Sequence, residues 1–173
     1  MIIRSKQLIL KSIEKADDAS PEIASNPEVS KYLTEKWMYP EGMPDTLTFS
    51  IEFEGKTVGQ VALKSIRWYN RKAEMSLFLD PALQGKSLGT RALEAIMKHA
   101  FFDMNFVRLE AEVIEYNKPA IRVAEKLQFT REGLLREAKY HNGKYFNIIR
   151  YGILKREFEA YLNEKEYNET SDS

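Results

Sequence analysis

The chain is expected to adopt a mixed α/β (α+β) fold, a mostly antiparallel sheet flanked by helices. Three strand-like runs, Leu47–Phe53, Thr57–Ile66 and Ala73–Leu79, follow one another across short polar links. A glycine-flanked basic loop, QGKSLGT at 84–90, then opens a helical run, and strand, helix and strand follow again. Short links favour an antiparallel meander, and the interposed helices make the sheet mixed.

The elements follow in order. Gln7–Ile13 alternates loosely and reads as a first strand, and Asp17-Asp18 and Ser20-Pro21 suit the openings of one or two short helices reaching about Tyr32. Thr34–Asp45, TEKWMYPEGMPD, is loop punctuation with unusual aromatic content: Trp37 and Tyr39 either tuck over the core or belong to a lid. Glu54-Gly55-Lys56 divides the first two strands of the meander, and Tyr69–Arg71 links the third. In the run Ser87–Phe102, Leu88, Ala92, Ala95, Ile96 and His99 recur at helical spacing, which puts His99 at a core edge. Phe106–Ile114 reads as a strand, and Lys118–Leu127 as a short helix with Pro119 in its first turn. Phe129–Tyr140 and Tyr145–Leu154 form a hairpin across Asn142-Gly143. A charged helical end follows. Residues 1–162 are expected to form a single domain, and 163–173, NEKEYNETSDS, a disordered tail.

With 173 residues, 43% of them hydrophobic and 12% aromatic, the chain is long enough for one real core and too short for a second full domain. Basic and acidic residues balance at 26 each, so no global field favours nucleic acid or an anionic membrane. The apolar stretch in MIIRSKQLIL is too short for a signal peptide, and no window reaches the roughly 20 apolar residues of a membrane span. A cytoplasmic protein is expected. The absence of cysteine removes disulfides, thiolate metal sites and a thiol nucleophile. With two histidines, His99 and His141, no histidine-rich metal site can form.

The loop between Leu79 and the helix is the chemically suggestive segment. Free N–H groups at a helix opening, reinforced by the helix dipole, form a seat for a pyrophosphate. Gly85 and Gly89 admit a ligand close to the backbone, and Lys86 adds charge. An ordinary strand-to-helix turn is the alternative reading.

Four segments in order carry a resemblance: AEMSLFLDPALQGKSLGTRALEAI at 73–96, NKPAIRVAEKLQF at 117–129, REGLLRE at 131–137 and NGKYFNIIRYGIL at 142–154. Together they resemble the GNAT superfamily of N-acetyltransferases, especially its Rim-type, ribosomal-protein acetyltransferase-like branch. The resemblance implies a sheet with splayed central strands and acetyl-CoA as cosubstrate, with no metal. It implies a coenzyme A phosphate cradle at Gln84, Gly85, Lys86, Ser87, Leu88, Gly89 and Thr90. The family pattern Gln/Arg-x-x-Gly-x-Gly/Ala falls on Gln84, Ser87 and Gly89, so serine stands where the middle glycine is usual. The backbone of Leu77, Phe78 and Leu79 is expected to pair with the pantetheine arm, and Asn117 to bond the cofactor's far end or to cap the next helix.

The resemblance also implies direct attack of a neutral amine on the acetyl carbonyl. Glu112, five residues before Asn117, is the first candidate for the base, and Glu74, beside the central strand, is the second. Ion pairing is the alternative role of each. The family's usual tyrosine acid falls on Ala124, and a serine carried by some Rim-type members falls on Ala120, so no acid is assigned; Tyr116, Tyr140 and Tyr145 remain donors to consider. The acceptor is a primary amine on a protein N-terminus, a small molecule or an amino sugar. A polyamine is the least favoured, because its acidic collar would come from Glu35, Glu41 and Asp45 in one loop. A homodimer is compatible with the sequence. A non-catalytic acyl-CoA-binding module is the competing class.

Overall fold

The computed structural model describes residues 2–5, 8–11, 26–31 and 42–171. The chain divides into two compact units, Met1–Tyr39 and Pro40–Ser173. In the first, β1 (Ile2–Ser5) and β2 (Leu8–Lys11) pair antiparallel, and α1 (Pro27–Ser30) is one turn capped by Asn26, whose side chain accepts from the Glu28 amide. The strand expected at 7–13 is thus described as Leu8–Lys11. The helices expected from Asp17 lie outside the described residues apart from α1, as do Trp37, Tyr39, Glu35 and Glu41 of the expected lid.

The second unit holds six strands: β3 (Leu47–Phe53), β4 (Lys56–Arg67), β5 (Lys72–Leu79), β6 (Arg108–Ile114), β7 (Thr130–His141) and β8 (Lys144–Leu154). Their order is β3-β4-β5-β6-β8-β7. Every pairing is antiparallel except β5 with β6. The two hairpins follow from their turn residues. Glu54 and Gly55, and again Asn142 and Gly143, all adopt positive φ, the conformation whose twist matches the flanking strands.

Three helices complete the unit: α2 (Leu88–Lys98), α3 (Lys118–Lys126) and α4 (Lys155–Ser171). A π turn over His99–Asp103 ends the α2 segment, so the expected helix to Phe102 changes its winding at His99. The His99 ring bonds Asp103 at 2.7 Å and meets Phe49 edge-on, a structural role at the core edge. Period-2 alternation divides each central strand between two faces. Ala73, Met75, Leu109, Val113, Ile149 and Ile153 pack with Met97 and Phe101, with Leu127 beyond α3 and with Phe158 of α4. The opposite, open face carries Lys72, Glu74, Arg108, Glu110, Glu112 and Arg150.

The tail expected at 163–173 is corrected, since α4 continues through Ser171. Lys165 Nζ reaches Glu94 Oε2 of α2 at 2.8 Å, Tyr161 donates to the same carboxylate at 3.3 Å, and Tyr161 stacks on the buried Phe158. These partners lie about 70 residues away in sequence, so local composition could not announce them. No described helix is long and apolar enough to cross a membrane.

Candidate active site

The site begins where the sheet divides. β5 and β6 pair only at Lys72 with Arg108, Ala73 with Leu109 and Glu74 with Glu110, yet β5 runs on to Leu79 and β6 to Ile114. Each strand stays bound to its other neighbour over that distance: Leu79 is opposite Gly59 of β4, and Ile114 opposite Ile148 of β8. The twist accumulated in the two antiparallel halves carries the ends apart. A clamp then fixes the β6 end. Asn147 donates its amide to Glu115 Oε1 at 2.8 Å and its Nδ2 to Oε2 at 3.0 Å, while its Oδ1 accepts from Glu137 N at 2.9 Å. On the side away from β4, the backbone of Leu77, Phe78 and Leu79 therefore has no partner strand and borders the fork.

The glycine loop stands at the carboxyl end of β5. Asp80 caps a single 3-10 turn, Pro81–Leu83, by accepting from the Ala82 amide at 2.9 Å, and Gln84 returns to extended backbone. Gly85 and Ser87 both take positive φ, +80° and +59°. The first bond of α2 runs from Arg91 N to Ser87 O at 3.0 Å, so the amides of Leu88, Gly89 and Thr90 have no acceptor within the helix. A Cβ added at Gly85 would meet no atom within 4 Å, and one at Gly89 only Leu77 Cδ2 at 3.5 Å. Both glycines thus leave the loop backbone accessible, with Lys86 exposed beside it.

Ser87 holds the left-handed conformation that glycine adopts without a Cβ penalty, and its side chain caps nothing. Ser87→Gly is therefore expected to raise stability by about 0.5–1 kcal/mol, the relief of backbone strain less the added freedom of the unfolded chain. Urea unfolding of both proteins checks it; a destabilised variant would show that the serine side chain contributes to the loop.

Asn117 caps α3, its Oδ1 accepting from Ala120 N at 3.2 Å. Ala124 is buried in the core, so nothing there offers a hydroxyl. Tyr116 is half exposed and edge-on to Phe146 at 4.8 Å, while Tyr140 and Tyr145 pack on each other at the hairpin end. Trp68 donates to Pro44 O at 2.7 Å and meets Phe106 edge-on, which gives it a structural role.

Glu74 and Glu112 come together on the open face at the fork. Arg108 donates its Nε to Glu110 Oε1 at 2.8 Å and grips Glu132 with both terminal nitrogens, and Lys72 reaches Glu110 at 3.2 Å. Burial alone would push Glu110 up, but the bonds from Arg108 and Lys72 outweigh it and hold the carboxyl below its ordinary range. Glu112 lies opposite Arg150, with Nε and Oε1 3.6 Å apart. Glu74 differs from both. Among the described residues it accepts no hydrogen bond and no ion pair, and burial, then the charge of Glu112, push its carboxyl above the ordinary value of 4.5 against the pull of Lys64 and Arg150. Glu110 and Arg150 are among the members of this wall that the sequence reading did not single out. Their signal was a charged residue at every second position of β6 and one cation interrupting the apolar run NIIRYGIL. Beside the end of β5, the same face holds a cavity of about 570 Å³ lined by Thr48, Ser50, Gln60 and Phe78.

A mixed sheet forked between two parallel neighbours, with a helix opening at the carboxyl end of one of them, is the architecture of the splayed-sheet acetyltransferase class. Within that class the chain belongs to the acetyltransferase (GNAT) domain family, whose model matches residues 7–130. It is 36% identical over 112 residues to a spermidine N(1)-acetyltransferase of Escherichia coli (strain K12), covering 65% of this chain and 60% of that one. It is 29% identical over 108 residues to a Bacillus subtilis (strain 168) protein provisionally named a ribosomal N-acetyltransferase, covering 62% and 59%. The chain thus spans about 60% of the length of these two relatives. Mutant forms of the spermidine/spermine N-acetyltransferase of Vibrio cholerae align with a TM-score of 0.65 at 25% identity, covering 68% of this chain and 72% of that chain.

Proposed function

We propose that this chain is an acetyl-CoA-dependent N-acetyltransferase that moves the acetyl group directly to a primary amine. The fork between β5 and β6 carries the reading, because it offers edge backbone groups to a thioester inside the sheet, where two neighbouring strands stop pairing. Leu77–Leu79 would hold the pantetheine arm. The amides of Leu88, Gly89 and Thr90, with Lys86, would seat the diphosphate. Asn117 would reach the cofactor while capping α3. The amine nitrogen attacks the carbonyl carbon, the carbon–sulfur bond breaks, and the thiolate leaves. A thiol pKa near 8.5 means that this departure needs little help from an acid.

Glu74 is the carboxylate best placed to take the proton, since it is partly buried and uncommitted. Glu112 stands beside it, engaged with Arg150. The demand on a base follows the acceptor: deprotonating an amine of pKa about 8 at pH 7 costs roughly 1 kcal/mol, and a lysine-like amine about 4.6 kcal/mol. Spermidine is the first acceptor to test because relatives are named for it. The wall itself sets four carboxylates, Glu74, Glu110, Glu112 and Glu132, against Lys64, Lys72, Arg108 and Arg150. It is therefore not a net-acidic collar, which favours acceptors with a single amine.

The family match crosses both compact units, which supports one acetyltransferase domain over 1–162. A cytoplasmic location, with neither nucleic acid nor membrane as a partner, belongs to the same reading, as does association of two copies along the β7 edge, where Leu134 and Leu135 stay exposed. No metal takes part in it. A thiol-release assay with acetyl-CoA against spermidine, N-terminal peptides and amino sugars is expected to find at least one substrate. Tight acetyl-CoA binding by calorimetry with silence across the whole panel would instead identify a non-catalytic acyl-CoA module.

A further inference from the structure

The cavity beside the end of β5 is walled by side chains that the chemistry at the fork does not use. Ser50 of β3, Gln60 of β4 and Phe78 of β5 are register partners, so they form one row across three strands, on the face that also carries Glu74. Thr48 stands two residues from Ser50 on that face and lines the same space, whose volume of about 570 Å³ is in the range of small-molecule sites. Phe78 is 64% exposed, an aromatic ring left open on an interior strand. Gln60 is half-buried, and among the described residues the side chains of Thr48, Ser50 and Gln60 make no hydrogen bond.

The types of donor and acceptor narrow what fits. Hydroxyl and amide groups both give and accept hydrogen bonds, which matches the hydroxyls of a ligand, whereas an ammonium only donates and needs carboxylates. The ionisable residue lining the cavity is Asp80, and its Oδ1 already accepts from the Ala82 amide at 2.9 Å. One carboxylate used as a cap gathers no polycation, and its charge repels a phosphate. Phe78 supplies an apolar surface for the C–H side of a ring. Glu74 lies four residues back along the same face, about 13 Å at the rise of a strand, so a ring resting on Phe78 can extend an amine toward that carboxylate. We propose that this cavity is the acceptor subsite and takes the hydroxylated ring of a free amino sugar, stacked on Phe78 and hydrogen-bonded by Gln60, Ser50 and Thr48, with its amine directed to the fork. The inference rests on the acetyltransferase reading and specifies its acceptor class.

The test reads binding apart from turnover. Full-length protein labelled with nitrogen-15 is titrated, in the presence of coenzyme A, with D-glucosamine, N-acetyl-D-glucosamine and spermidine. NMR follows the backbone amide of Phe78 and the side-chain amide of Gln60, the second identified by its loss in Gln60→Leu. Both sugars are expected to shift the two signals, because the ring is recognised with or without a free amine, and spermidine is expected to leave them in place. Gln60→Leu should weaken sugar binding about 10- to 100-fold and Ser50→Ala about 3- to 10-fold, each with coenzyme A affinity unchanged. No shift from either sugar, or an equal shift from spermidine, overturns the proposal. So does undiminished sugar binding by Gln60→Leu or, if that variant does not fold, by Ser50→Ala. The acetyltransferase reading fails separately, through the absence of thiol release from acetyl-CoA with every amine offered.

Discussion

Glu74→Gln is expected to lower kcat by about 10²- to 10⁴-fold while raising the thermal midpoint at neutral pH. The kinetic half follows from the geometry of the fork: glutamine keeps the shape and one acceptor oxygen but cannot take a proton. The loss should be larger for a lysine-like acceptor than for an α-amine, because the second is already partly neutral. The stability half follows from the sign of the shift. Burial, then Glu112, raise the folded pKa of Glu74 above the unfolded value of 4.5, so the folded chain holds that proton more tightly. The associated stability is complete below the unfolded value and is lost as pH rises through the folded one. At pH 7 the ionised carboxylate therefore works against folding, and the amide removes that cost. Scanning calorimetry of both proteins at pH 7 and pH 4 measures it: the gain in the variant should be present at the first and shrink at the second. A kcat loss under tenfold would transfer the base role to Glu112.

Gly59→Ala is expected to destabilise the chain by about 3 kcal/mol, at the upper end of overpacking. A Cβ at Gly59 would lie 2.4 Å from Phe78 O, 3.0 Å from Leu79 Cα and 3.1 Å from Leu79 Cδ1. Two of those atoms are backbone, so the strand itself has to move. Because Gly59 is the register partner of Leu79, the displacement falls on the β5 segment that leads into the loop at 84–90. Acetyl-CoA affinity, read by calorimetry at a temperature where the variant is folded, is expected to fall with stability. A variant that unfolds like the parent in urea would mean that β4 and β5 yield at this point without strain.

Much of this arrangement was legible in local pattern. The meander, the basic loop, the Asn142-Gly143 turn and Pro119 at a helix start are each written within a few residues, because turn chemistry and helix starts depend on neighbours along the chain. Glu110 and Glu112, two positions apart, share one face of β6, as period-2 alternation requires. The cap of α3 by Asn117 was one of two roles the sequence allowed, and the structure contains it. The end of α4 was misread because its stabilising contacts come from α2. Glu94 binds Lys98 on its own helix and Lys165 on the last one, and these bonds outweigh burial to hold its carboxyl below the ordinary range.

By itself the sequence determined the elements, their order and the residue types available to the site, since propensity and periodicity act over short range. Only the tertiary structure decided that Glu74 feels the charge of Glu112 across a fork, that Glu110 is taken by Arg108 and Lys72, and that Arg150 stands between Glu110 and Glu112. The reason is physical. A carboxylate's proton affinity depends on burial and on charges within a few ångströms, and here those charges come from strands up to about 76 residues apart, brought side by side by the order of the sheet.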